Sequence, residues 1–235
     1  MSVALGLDDV GNAVTLDDMS FLSIVWCLIK QLPINGKRKK ERTILYKLKQ
    51  KPVLKLKLSL IDSKPLIWRT IIVPKSTKLH GLHKMIQILM QWWDYHLYKF
   101  EFAGETYEEP DPDAMGKNSQ KIRLGNLNIK PGESLTYYYD FGDGWEIDIL
   151  VEAELTADEN VILPWLIDGE RLGPPEDCGG ISGLETVLKA CQNRQNEEYG
   201  ELLAWLGDDY IPENFDTRTT NHFLVLASAW MGLIK

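Results

Sequence analysis

Period-two alternation of apolar and polar residues recurs in three separate stretches, and it commits this chain to a sheet with one covered face. Leu54, Leu56, Leu58 and Leu60 alternate with Lys55, Lys57 and Ser59, and His96, Tyr98, Phe100 and Phe102 with Leu97, Lys99 and Glu101. The third stretch, LTYYYDFGDGWEIDILVE at 135–152, alternates on both sides of a Gly-Asp-Gly turn. Successive side chains of an extended strand point to opposite faces, so each stretch reads as a half-buried strand. A helix is expected at 78–91, capped by Thr77, because Leu79, Leu82, Ile86, Leu89 and Met90 recur at helical spacing. The expected class is α+β: a mainly antiparallel β-sheet with packed helices, plus apolar helices near both ends of the sequence.

The faces of the 135–152 hairpin argue for one register. A two-residue turn at Asp143-Gly144 would pair Phe141 with Glu146 and Tyr139 with Asp148, mixing apolar and acidic residues. A three-residue loop, Gly142-Asp143-Gly144, pairs Phe141 with Trp145, Tyr139 with Ile147 and Tyr137 with Ile149, and leaves one face wholly apolar. The second register is expected, with Gly144 left-handed. It sets Asp140 opposite Glu146, a like-charge contact costing up to about 1 kcal/mol unless water, a cation, an arginine or a shared proton relieves it.

The remaining elements follow from caps and breakers. Residues 66–73 read as the strand returning from Lys64-Pro65, and Lys55 and Lys57 as protection of a sheet edge. Residues 104–120 read as an acidic surface loop and 122–127 as a short strand. In PPEDCGG (174–180) two prolines stiffen the entry and two glycines permit unusual backbone angles at the exit. Ser182 and Glu185 form a capping-box pattern for a helix to about residue 193, followed by a helix near 196–206. A final helix is expected at 220–233. Near the start, Thr15 reads as the cap of an apolar helix that ends at Pro33, and 35–42 as an exposed linker. The expected divisions are 1–44, a helical extension and basic linker; 45–216, the main domain; and 217–235, a C-terminal helix.

Charge and cysteine usage limit the classes. The chain has 235 residues, 44% apolar and 26% charged, which suits a globular core. Cys27, Cys178 and Cys191 form no disulfide framework, so a reducing compartment is expected. Acidic residues near the start speak against a signal peptide, and the apolar run 19–32 is short for the roughly 20 residues that span a bilayer. A cytoplasmic protein without membrane contact is expected. The net charge is −8, yet residues 30–57 carry eleven basic residues and one acid, leaving −18 on the rest. Lys37, Arg38, Lys39, Lys40 and Arg42 are therefore the candidate nucleic-acid contacts, within a basic stretch running to residue 57.

Several motifs together resemble a known family. IWRTIIVP (67–74), LHGLHKMIQ (79–87), HLYKFEF (96–102), YDFGDGWEIDILVE (139–152) and PPEDCGG (174–180) resemble the plasmid pRiA4b ORF-3-like family over roughly 45–216. The resemblance implies an α+β domain and a setting on plasmids and near transposable elements, without implying a particular activity. The family usually has a histidine where this chain has Ile147 and a cysteine where it has Gly173. Both departures remove soft-metal ligands, so no metal is expected.

The chemistry then reduces to two readings. Acidic neighbours raise the Cys178 pKa, which favours a structural thiol, and His80 with His83 is a weak metal pattern. Asp140, Asp143, Trp145, Glu146, Glu176 and Asp177, with Trp68, Arg69, His83 and His96, form the candidate binding surface. The expected function is a non-enzymatic binding or adaptor domain, accessory to mobile elements or defence complexes, with a protein partner and no cofactor or catalytic residue. The apolar terminal helices are expected to fold on each other or on a partner, or to support oligomers. The alternative is a divalent-metal-dependent nuclease or hydrolase using the carboxylates of YDFGDGWE and PPEDCGG.

Overall fold

A computed structural model describes residues 4–7, 13–15, 50–110, 115–207 and 210–230. The chain divides into two compact units, Met1–Lys47 and Leu48–Lys235. In the first, β1 (Ala4–Leu7) pairs antiparallel with β2 (Ala13–Thr15). Thr15 is the last residue of β2. The helix expected after it, and Lys37, Arg38, Lys39, Lys40 and Arg42, lie outside the described residues.

The second unit is built on an eight-stranded sheet in the order β10-β4-β3-β9-β8-β5-β6-β7. Its strands are β3 (Gln50–Leu60), β4 (Trp68–Pro74), β5 (Tyr98–Phe102), β6 (Glu105–Glu108), β7 (Lys117–Asn118), β8 (Ser134–Tyr139), β9 (Trp145–Asp158) and β10 (Trp165–Glu170). Among the described strands, only the β6–β7 pair is parallel. The alternation works as expected. Leu54, Leu56, Leu58 and Leu60, Tyr98 and Phe100, and Tyr137 and Tyr139 are all buried on one face. Helix α1 (Leu79–Met90) lays Leu79, Leu82, Met85, Ile86, Leu89 and Met90 into the same core. Each fully buried side chain of this kind contributes about 1.5–3 kcal/mol.

Several local expectations are corrected. β3 lies between β4 and β9, so its lysines guard no edge. Lys55 pairs with Glu152 at 2.9 Å, and Lys57 sits 5.4 Å from the Trp68 ring centre. Thr77 does not cap α1. Lys78 occupies that position without a side-chain bond, and the carbonyls of Ile122 and Ser119 accept from Leu79 N and His80 N at 2.9 and 3.3 Å. The 104–120 segment contains β6 and β7, and 122–127 holds a short 3-10 turn, Leu124–Asn126, in place of a strand.

The hairpin register is also different. Tyr139 faces Trp145, Tyr138 faces Glu146 and Tyr137 faces Ile147, so residues 140–144 form the loop. The shift of two residues preserves the apolar face, because side chains repeat every second residue. It removes Asp140 from Glu146 and leaves Phe141 56% exposed. Gly144 is left-handed as expected, with φ 69°.

After β10 the chain forms α2 (Gly180–Gln192), α3 (Gly200–Leu206) and α4 (Thr217–Trp230). No capping box opens α2: Gly179 is its N-cap, and Ser182 Oγ donates to Gly179 O at 3.2 Å. Asp216 begins α4 by accepting from Arg218 N at 2.8 Å and Thr219 Oγ1 at 2.8 Å. Asn221 then exchanges two hydrogen bonds with the Leu166 backbone, at 2.8 and 2.9 Å, and pins α4 to β10. Leu224 is buried, but Phe223 and Leu226 are exposed, so only part of the apolar set expected on α4 enters the core. Among the described residues, no helix is long and apolar enough to cross a membrane.

Candidate functional site

The hairpin tip is organised by one aspartate. Asp140 takes φ 54°, a conformation that aspartate tolerates better than most residues. Its Oδ1 accepts from Gly142 N at 2.9 Å and Asp143 N at 3.3 Å, and its carbonyl accepts from Gly144 N at 2.6 Å. These bonds satisfy the backbone of a five-residue loop, which is why the loop extends to Asp140.

The tip holds the PPEDCGG loop. Asp143 Oδ2 accepts from Gly179 N at 3.1 Å, and a side chain at Gly180 would run into the Asp143 carbonyl. Gly179 and Gly180 both have positive φ, 92° and 66°, as the glycine pair suggested. Glu176 Oε1 accepts from Tyr139 Oη at 2.5 Å and Glu176 Oε2 from Trp93 N at 3.0 Å.

At this junction His96, Asp140 and Asp177 converge, with one ligand atom of each within 4.8 Å of the others. His96 Nε2 stands 3.6 Å from Asp140 Oδ2 and 3.3 Å from Asp177 Oδ1. Asp140 is buried, while the Asp177 side chain is 70% exposed.

The other predicted residues serve the core or point elsewhere. Trp145 is buried, and its Nε1 makes no hydrogen bond. Glu146 is exposed beside Tyr138. Trp68 Nε1 donates to Glu170 at 3.2 Å. Arg69 is fully buried, donates to the carbonyls of Leu89, Trp68, Glu170 and Arg171, and lies over the Phe215 ring at 3.6 Å. Burial brings its pKa down to about 9. Trp145 and Arg69, both buried, leave the candidate binding surface, while Glu146 and Trp68 stand outside the His96, Asp140 and Asp177 group.

His83 belongs to a closed ring of hydrogen bonds. Gln87 Nε2 donates to Tyr137 Oη at 3.0 Å, and Asp94 N donates to Gln87 Oε1 at 3.0 Å. Tyr137 Oη lies 2.8 Å from His83 Nδ1, and His83 Nε2 lies 2.7 Å from Asp94 Oδ1. A neutral imidazole carrying its proton on Nε2 satisfies every member: it donates to Asp94 and accepts from Tyr137. Burial pushes the His83 pKa down, in keeping with that form. Burial would raise Asp94, but its bonds with His83 and Lys84 outweigh this and hold it at about 2. Cys178 is raised to about 12, chiefly by burial and then by Asp143 and Asp177. Burial was the larger cause, where the sequence pointed to acidic neighbours.

The residue placement also shows a groove that the sequence reading missed. It has a volume of about 730 Å³ and runs between the end of α1 and α4, lined by Gln91, Trp93, Asp216, Phe223 and Leu226 among others. A second, of about 420 Å³, is also lined by Trp93, with Pro175, Glu176 and Trp205. The helix ends where Gln91 turns left-handed, φ 62°, and of the two tryptophans that follow, Trp92 is buried while Trp93 is 73% exposed. The signal was present in sequence as consecutive tryptophans at a helix end, only one of which a helix-to-core turn can bury.

The family model of the plasmid pRiA4b ORF-3-like proteins matches residues 52–219. The chain belongs to this family. The uncharacterised y4hQ protein of Sinorhizobium fredii (strain NBRC 101917 / NGR234) is 32% identical over 162 residues, covering 67% of this chain and 83% of that protein. The crystal structure of MM3350, a protein of unknown function from Methanosarcina mazei Go1, matches with a TM-score of 0.66 and 36% identity, covering 72% of this chain and 97% of that one. The pRiA4b ORF-3-like match includes the hairpin tip and the PPEDCGG loop but stops in the first turn of α4, before Phe223 and Leu226. Of the two departures from the family pattern, Ile147 is buried between Tyr137 and Leu60, and Gly173 lies against the Met90 carbonyl. Neither belongs to the group formed by His96, Asp140 and Asp177.

Proposed function

We infer that this pRiA4b ORF-3-like domain is a binding module, taking a basic, partly apolar segment of a protein partner along the two grooves that meet at Trp93. The observation that carries this reading is the contiguous exposure of Trp93, Phe223 and Leu226 around the larger groove. Apolar side chains exposed singly are normal, but a concave group of them marks a contact surface, and tryptophan is a frequent anchor in such surfaces. Charge selects the partner. Residues 58–235 contain 15 basic and 29 acidic residues, a formal −14, and Asp216 and Glu176 line the two grooves. A segment with lysines or arginines beside an apolar anchor complements both features. Cys178, with its pKa raised to about 12, and the buried Tyr137 hydroxyl are poor nucleophiles, which favours binding over covalent catalysis.

The family setting, on plasmids and near transposable elements, makes an accessory role beside such machinery part of this reading. Nucleic-acid contact is left to the basic residues from 37 to 49, because Lys51, Lys55 and Lys57 are engaged by the Glu159 and Val161 carbonyls, by Glu152 and by Trp68. Selection from a displayed random-peptide library tests the groove. Enriched peptides should share basic residues around an aromatic or aliphatic anchor, and Trp93→Ala should weaken them at least about tenfold, as expected for an anchor residue. Peptides that bind equally well to Trp93→Ala and Phe223→Ala would overturn the reading.

A further inference from the structure

The geometry points to a divalent-cation site formed by His96 Nε2, Asp140 Oδ2 and Asp177 Oδ1, of the kind that zinc or manganese occupies. It is independent of the groove, and it reverses the expectation from sequence that no metal would bind. Three observations carry it.

First, His96 Nε2 is buried and makes no hydrogen bond, although two carboxylate oxygens stand beside it. A nitrogen without a hydrogen-bond partner beside two carboxylate oxygens can offer its lone pair, together with theirs, to a cation. Second, the spacing suits an ion better than a proton. A charge-assisted N–H···O bond draws its atoms to about 2.7–2.9 Å. The observed separations are 3.3 and 3.6 Å. Donors bound about 2.0–2.2 Å from a tetrahedral ion stand about 3.3–3.6 Å apart, which matches both distances from His96.

Third, the ligands are positioned by their neighbours. Asp140 spends Oδ1 on the amides of Gly142 and Asp143, which turns Oδ2 towards His96. The PPEDCGG loop that carries Asp177 is held by Asp143 on Gly179 and by Glu176 on Tyr139. His96 enters from the turn after α1, its ring set edge-on to Tyr139 at 5.8 Å. One imidazole and two carboxylates favour a borderline ion over magnesium or calcium, which prefer oxygen alone. Because Asp177 is exposed, the remaining coordination positions open to solvent. The ion would fasten three segments that are distant in sequence: residue 96, the hairpin tip and the 174–180 loop.

Chelator-treated full-length protein, titrated with zinc, manganese and magnesium chlorides by calorimetry and thermal melting, tests this. Zinc or manganese should bind one to one and raise Tm, and magnesium should bind at least about tenfold more weakly. Asp177→Asn should keep the fold, because the side chain is exposed and asparagine, like aspartate, tolerates the φ of 58° found at this position, yet lose at least about tenfold in affinity. His96→Ala should lose as much. The absence of saturable one-to-one binding would overturn the site, as would binding of unchanged affinity in both variants.

Discussion

Tyr139 Oη donates to Glu176 Oε1 at 2.5 Å and accepts from Tyr95 N at 3.2 Å, so one buried phenol joins the turn after α1 to the PPEDCGG loop. Its ring belongs to the core, stacked on Trp92 at 4.7 Å. Tyr139→Phe keeps the ring and removes only the junction. We expect a loss of about 2 kcal/mol, since a bond to a carboxylate is removed and Tyr95 N loses its partner. Urea unfolding of the two proteins measures this, and the same variant should speed proteolysis within 174–180.

Acid should weaken the domain from neutral pH downwards. Burial pushes His80 and His83 below their ordinary pKa, so the folded chain resists protons that the unfolded chain accepts. The stabilising contribution is present above about 6.5, the unfolded value, and is lost as pH falls below it. Denaturation midpoints should therefore drop between about pH 7 and about pH 5, and His83→Gln should flatten part of that slope.

The hairpin register makes Phe141 a sharp probe. Facing Trp145 in a three-residue loop, it would be a core residue, and truncation would cost about 3–5 kcal/mol. In the observed register it is exposed, and Phe141→Ser should change stability by less than about 0.5 kcal/mol. Equilibrium unfolding of this one variant separates the registers.

Restoring the family's usual cysteine should harm this chain. A side chain at Gly173 would run into the Met90 carbonyl. Gly173→Cys should cost about 1–3 kcal/mol through overpacking. Zinc should raise Tm of parent and variant alike and leave the difference between them unchanged, because position 173 lies outside the His96, Asp140 and Asp177 group.

What the sequence made legible was whatever depends on periodicity. The leucines of β3 and the α1 stripe were readable because burial imposes a repeat of two or 3.6 residues. The hairpin register was not, because a two-residue slip leaves that repeat intact, and the amides satisfied by Asp140 decide it instead. β10 was missed because Trp165, Ile167 and Glu170 are exposed along an edge and show no clean alternation. Arg69 was misjudged because its acceptors on Glu170 and Arg171 lie 101 and 102 residues away. His96, Asp140 and Asp177 were each singled out, but only the loop geometry brings them together.

The pairing of β3 with β9 sets a timetable for synthesis. Its partners run from Leu60 with Ile147 to Gln50 with Asp158, separations of 87 and 108 residues. At about 5–20 residues per second on the ribosome, β3 waits roughly 5–20 s for the strand that completes its ladder. β4 can fold back on it early, but the other edge stays open and its leucines stay wet. The centre of the sheet therefore closes only when most of the chain has been made. Any product that terminates before residue 145 would present an unpaired, leucine-rich strand to its neighbours, which makes premature termination an aggregation hazard for this protein.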